Sequence, residues 1–223
     1  MSFSRPDVPL VRAVVVAATA ALLLTMGVVV GAVWAGRDHD SSAMSVSDIG
    51  FAQDMSAHHD QAILMSRTIG AVPGVAPQIR GVADRIVHTQ TAESATMRGW
   101  LQWFDHPITA AEPMSWMAGG DAGHGGTQHG DGLGSHAPMP GMASIDEVGR
   151  LSTLPPGEAE ILFLQLMIRH HRGGMSMAQA AYNDARTGSA TKDLALMMIG
   201  DQGDEIGLMT MLLKERGADP LPT

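Results

Sequence analysis

Residues 51–69 read FAQDMSAHHDQAILMSRTI, and residues 163–181 read FLQLMIRHHRGGMSMAQAA. Set on their adjacent histidines, the stretches superpose Phe51 on Phe163, Met55 on Met167, His58 on His170, Ala62 on Gly174 and Met65 on Met177, always 112 residues apart. Within the first, Phe51, Met55, His58, Ala62, Met65 and Ile69 are separated by alternating steps of 4 and 3. That spacing is one stripe of an amphipathic helix.

Working outward, GAVPGVAP at 70–77 breaks the helix. A second stripe follows, through Ile79, Ala83, Ile86, Gln90, Glu93, Met97 and Trp100 to a close near Phe104. Two helices on a short loop form an antiparallel hairpin. The 112-residue offset continues through this second helix, where Gln90, Glu93 and Met97 recur as Gln202, Glu205 and Met209. An offset preserved across a hairpin marks duplication of a structural unit. Each hairpin carries an apolar stripe that it cannot bury alone, so the two are expected to dock as an all-α, antiparallel four-helix bundle.

The chain is thereby divided into 1–35 (cytoplasmic N-terminus and membrane anchor or signal), 36–47 (tether) and 48–104 (first hairpin). Next come 105–142 (a linker rich in His, Met and Gly), 143–217 (a short helix and the second hairpin) and 218–223 (tail), with 48–217 forming one domain. The linker is expected to form no core. Ser144, followed by Asp146 and Glu147, predicts a short capped helix over 144–151.

Composition narrows the function. A formal net charge of -9 gives little electrostatic support to a phosphate-binding surface, so nucleic acid is not an expected partner. There are no cysteines, which excludes disulfides, thiolate metal sites and a cysteine nucleophile. From Ala13 to Val33 no residue is charged, and 21 helical residues would span roughly 30 Å of hydrocarbon. Arg5 and Arg12 precede the run, so the expected protein is single-pass in the cell membrane with its domain outside the cytoplasm. The alternative is a cleaved signal ending at Val33-Trp34-Ala35, giving a secreted protein. A homo-oligomer is left open.

The stripes contain residues that an apolar core would not select. His58, His170, Gln90, Gln202, Glu93 and Glu205 fall on the inward lines, and counting from the turn puts His58 level with Gln90. The separation from His58 to Glu93 recurs from His170 to Glu205, which would gather both sets into one polar layer. A buried glutamate needs a partner, and histidine is the nearest. One reading is a structural or partner-binding bundle in which a hydrogen-bonded layer of His, Glu and Gln fixes helix register. The sharper reading is a metal held by imidazole and carboxylate, flanked by the thioethers of Met55, Met97, Met167 and Met209. His59 and His171 sit one position round, toward the helix flank, within reach of metal, a neighbouring helix or solvent.

Thioethers select soft ions and imidazole suits copper, zinc, iron and nickel, so His with Met and no Cys favours copper over other transition metals. The linker adds Met114, Met117, His124, His129, His136, Met139 and Met142 to the same chemistry. No nucleophile elbow, phosphate loop or catalytic triad is present, so no enzyme activity is expected. A di-iron oxidase would need Glu-x-x-His, whereas Thr96 and Leu208 stand three residues after Glu93 and Glu205.

The two His-His stretches, each followed by Q-x-x-E-x-x-x-M (QTAESATM and QGDEIGLM), resemble the domain of unknown function 305 family over about residues 47–217. That resemblance implies an exported bacterial protein with a ferritin-like helical bundle and a copper-binding or copper-tolerance role. The residues it carries over are His58, His59, His170, His171, Met55, Met65, Met167, Met175 and Met177. This chain differs at Gly173-Gly174, where Gly-Ala is commoner, and Gly174 is expected to leave extra room beside His170.

Overall fold

The computed structural model describes residues 19, 21, 23–28, 43–119 and 139–222, and the chain divides into two compact units, Met1–Ala43 and Met44–Thr223. In the first unit, residues 23–28 are helical. The apolar run 13–33, expected to cross a membrane, lies mostly outside the described residues, as does most of the 36–47 tether. Among the described residues no helix is long and apolar enough to cross a membrane.

In the second unit all regular structure among the described residues is helical. Helix α1 (Val46–Ala71) begins at Ser45, whose hydroxyl accepts from the Asp48 N–H while the Asp48 carboxylate accepts from the Ser45 N–H. This reciprocal cap satisfies two N–H groups that the first turn would otherwise leave unpaired. Helix α2 (Pro77–Trp103) starts on a proline, whose fixed φ suits a first turn and whose missing N–H costs nothing there. The short α3 (Ile145–Arg150) is capped by Ser144 and Glu147, as its sequence predicts. Helices α4 (Pro156–Asn183) and α5 (Ser189–Glu215) form the second hairpin.

The hairpins fasten each other at their turns. The Asp48 carboxylate of α1 accepts from the Gly188 N–H, at the N-cap of α5 (3.0 Å). Glu160 of α4 accepts from the Ala76 N–H, at the N-cap of α2 (2.7 Å), and its other oxygen takes the Arg216 guanidinium. Asp48 and Glu160 are one repeat apart, as are Ala76 and Gly188, so this is one clasp made twice. Each carboxylate also lies at the positive end of a helix dipole, where negative charge is favoured.

α1 packs on its hairpin partner α2 and also on α4, and the interior is two apolar clusters. One gathers Met65, Ile69, Ile79, Ile86, Phe163, Met167, Met209 and Leu213. The other gathers Phe51, Met55, Met97, Leu101, Met177, Ala181, Leu194 and Met198. α1 gives its first half to the second cluster and its last half to the first, and α4 does the reverse, so the two run antiparallel. The buried histidines of α1 and α4, Gln90 and Glu93 of α2, and Gln202 and Glu205 of α5 fall between the clusters, as the repeat requires.

One expectation is corrected. The 105–142 segment contributes to the core at both of its described ends. Trp116, within the 3-10 turn Ser115–Gly119, is buried with its ring edge-on to Phe51 (centroids 5.7 Å, 86°). Gly50 makes room: a Cβ there would press on the indole. Asp54, buried in α1, accepts from the Met114 N–H (2.7 Å) and the Trp116 Nε1–H (2.9 Å), and Gln53 donates to the Pro107 carbonyl (2.7 Å). Met114, Met117 and Met139 pack against the second cluster. The linker histidines His124, His129 and His136 lie outside the described residues. Asp54→Ala strands two donors beneath the protein surface, and the expected loss is about 2–4 kcal/mol in equilibrium urea unfolding. An unchanged midpoint would show that this segment is held by other contacts.

Candidate metal centre

α1 and α4 cross where their histidine pairs meet. His58 and His170 stack with ring centroids 3.8 Å apart and planes inclined by 32°, and His171 lies 6.3 Å from His170. All four imidazoles are buried. His59 and His171 therefore do not sit on a solvent-facing flank. Adjacent helical residues point about 100° apart. Because α1 is packed on two sides, His58 faces α4 while His59 faces α2.

The carboxylates accordingly choose different partners from those expected. Glu93 bonds His59 Nε2 and Glu205 bonds His171 Nε2, each at 2.7 Å, leaving His58 and His170 to backbone carbonyls. His58 Nε2 is 2.9 Å from the Pro140 carbonyl oxygen, and His170 Nε2 is 3.1 Å from the His58 carbonyl oxygen. A carbonyl can only accept, so both Nε2 atoms carry hydrogen.

Burial holds His58 and His59 down to about 3 and His170 well below its ordinary 6.5, with neighbouring imidazoles adding to the effect. Those rings are neutral at physiological pH. The His59–Glu93 contact is then a hydrogen bond of a neutral ring and not an ion pair, although it has ion-pair distance. Glu93 is pushed up to about 7, first by burial and then by the charge of Glu205. Asp201, exposed on α5, is raised by desolvation and by Glu93, Glu205 and Asp204. These carboxyls share one region and repel.

A neutral imidazole with hydrogen on Nε2 has a bare lone pair on Nδ1. The Nδ1 atoms of His58, His59, His170 and His171 are all buried and without a hydrogen-bond partner. The amide oxygens of Gln90 and Gln202 share that condition. Gln202 also corrects the expected space beside His170: its Oε1 occupies the position that a Cβ on Gly174 would need. Among the described residues no three His, Asp or Glu side chains are arranged to hold one metal ion.

The methionines divide by position. Met55, Met97 and Met177 are buried in one cluster and Met65, Met167 and Met209 in the other, on the two sides of the histidines. Met175 belongs to neither cluster: it is half-buried, and its methyl group lies toward Gly203. The backbone contact from Pro140 and the two clasping carboxylates had no sequence signal beyond the 112-residue offset that relates Asp48 to Glu160.

A family model described as Domain of unknown function (DUF305) matches residues 48–213. The chain belongs to the DUF305 family. Among solved structures, a DUF305 protein from Streptomyces coelicolor, described as secreted, is 37% identical, covers 79% of this chain and 96% of its own, and has a TM-score of 0.67. A DUF305 fragment from Deinococcus radiodurans is 28% identical, with 78% and 99% covered and a TM-score of 0.62. CopM in its Cu(I)-bound form shares the fold at 22% identity, with 75% and 96% covered and a TM-score of 0.54. No curated protein matches this chain.

Proposed function

We propose that this DUF305 protein holds copper outside the cytoplasm through its duplicated imidazole layer, as a buffer or chaperone and not as an enzyme. The observation that carries this reading is the four buried Nδ1 atoms without a hydrogen-bond partner, each on a ring whose Nε2 is already engaged by a carbonyl or carboxyl oxygen. Metal-ligating histidines have this division of labour: one nitrogen faces the ion while the other donates to an outer acceptor that fixes the ring. A lone pair buried with no donor is costly, and a cation relieves that cost. The crowded carboxyls of Glu93, Glu205 and Asp201 favour positive charge nearby.

The donor chemistry points to copper. His58, His59, His170 and His171 would supply imidazole nitrogen, and the buried thioethers of Met55, Met97, Met167 and Met209 lie on either side. Bound there, copper would be carried without thiolates, in a soft site suited to Cu(I). The fold is shared with CopM, which is described in Cu(I)- and Cu(II)-bound forms. A place outside the cytoplasm rests on the apolar run 13–33 and on the Streptomyces relative described as secreted. Retention of that run as a membrane anchor, and a ferritin-like form for the bundle, belong to the same reading.

The test is a Cu(I) titration of the purified protein against a competing chelator. The parent is expected to bind, and Glu93→Gln with Glu205→Gln is expected to weaken binding by about 10–100-fold, because each change replaces an outer carboxyl acceptor with a neutral, weaker amide and removes no imidazole. Absence of binding above that of an unrelated helical bundle would end the proposal. The second reading, a layer that only sets register, draws on the lack of a preformed three-ligand cluster among the described residues. It predicts unaltered metal uptake and changed stability in the same variants.

A further inference from the structure

Duplication makes His58 and His170 equivalent in sequence, and they are not equivalent in their surroundings. His170 Nε2 bonds a helix carbonyl, that of His58 across the crossing. His58 Nε2 bonds the carbonyl of Pro140, in the segment that leads into α3, which has no counterpart on the other half among the described residues. The segment is held there by three features. Gln61 of α1 grips Ala143 through both of its polar atoms, donating to the carbonyl (2.9 Å) and accepting from the N–H (2.7 Å). Gly141 takes φ +78, a left-handed conformation open to glycine, and lies so close to the α4 backbone at Arg169 and His170 that a Cβ would collide. Gly173, inside α4, faces the Pro140 carbonyl so closely that its own Cβ would strike the oxygen.

We propose that Met139–Ala143 is a strap that positions His58. Its Pro140 carbonyl keeps the hydrogen on Nε2 and so determines that Nδ1 is the nitrogen offered to a bound cation, with Gln61 and Gly173 acting through the strap as positioning residues. The glycine pair Gly173-Gly174 is thus used on both members: Gly173 admits the strap and Gly174 admits the Gln202 amide. His59 and His171 are fixed by glutamates on α2 and α5, and the strap has no part in setting them. The consequence for metal rests on the copper reading above. The consequence for the imidazole does not.

The experiment uses the full chain, labelled with 15N at histidine, and two variants, Gly173→Ala and Gln61→Ala. Alanine suits a helix interior better than glycine, so α4 itself is not weakened by the first change. Gln61→Ala covers the case in which the collision at Gly173 prevents folding. In metal-free parent protein, long-range proton–nitrogen NMR is expected to show His58 as a single form with hydrogen on Nε2. In each variant that signature is expected to broaden into two tautomers, while His59 and His171 keep theirs. Cu(I) titration of the same samples is expected to show at least a tenfold weakening in each variant. Retention of one His58 tautomer in both variants overturns the strap, even if copper binds. Loss of the tautomer in variants of a parent that binds no copper supports the strap and overturns the copper reading instead.

Discussion

The double variant His58→Leu/His170→Leu binds copper more than about 100-fold more weakly than the parent, beyond the 10–100-fold that follows loss of an outer partner. Its metal-free form melts no lower. The second half of this expectation is the discriminating one. In the metal-free protein each stacked ring contributes a buried Nδ1 with no partner, a penalty of about 1–3 kcal/mol apiece. Leucine of similar bulk removes that penalty, and what it gives up is one hydrogen bond to Pro140 and one to the His58 carbonyl. For a unit of this size, each kcal/mol recovered raises Tm by roughly 2–4 °C. Groups retained for binding at the expense of stability have this signature. If the variant instead melts well below the parent and copper binding is unchanged, the layer is architectural. Chelator competition and calorimetry on one preparation separate the two outcomes.

Acid is the second large effect. His58 and His59 are held at about 3 by burial, against 6.5 when exposed, and His170 is also well below its ordinary value. The unfolded chain therefore takes up these protons first as pH falls, and the stability associated with neutral rings, complete above about 6.5, is lost on the way down toward 3. Each such group removes ~1.4 kcal/mol per pH unit. Glu93 works in the opposite sense: pushed up to about 7, it is protonated in the fold before it is in the unfolded chain, so its contribution is present below 4.5 and is lost as pH rises through 7. Three rings against one carboxyl leave a net loss of about 2–3 kcal/mol per pH unit between 6.5 and 4.5. Domain stabilities are about 5–15 kcal/mol, so circular dichroism should show cooperative unfolding well above pH 3. Copper at 100 times its Kd should add about 2.7 kcal/mol and move that midpoint to lower pH. A melting temperature that stays flat from pH 7 to pH 4 would refute the assigned protonation states.

The architecture was legible because the repeat is long and its spacing strict. The helices end within a few residues of where the stripes and prolines put them. Which histidine meets which glutamate was not legible. A stripe assigns one inward line to each helix, whereas α1 is covered by both α2 and α4, and two neighbouring residues can each be interior while facing different helices. His59 therefore took the glutamate that the spacing had given to His58. The two ends of the Gly-rich segment were unreadable for another reason: apart from the Trp116 indole, what Gln53, Asp54 and Gln61 of α1 bond there is backbone more than fifty residues away. Backbone N–H and C=O groups are the same at every position, so residue types carry no trace of such a pairing.

The twofold clasp between the hairpins has an evolutionary reading. Asp48 holds the turn at Gly188 while Glu160 holds the turn at Ala76, so each half supplies to the other what it receives. Exchange of identical contacts about an axis is the rule for an isologous dimer. A gene encoding one hairpin alone could have satisfied all of them by self-association, with the stacked histidines on the symmetry axis. Fusion of two copies would then have released the halves from identity, and the segment joining them, free to differ, became the part that distinguishes one imidazole from its twin.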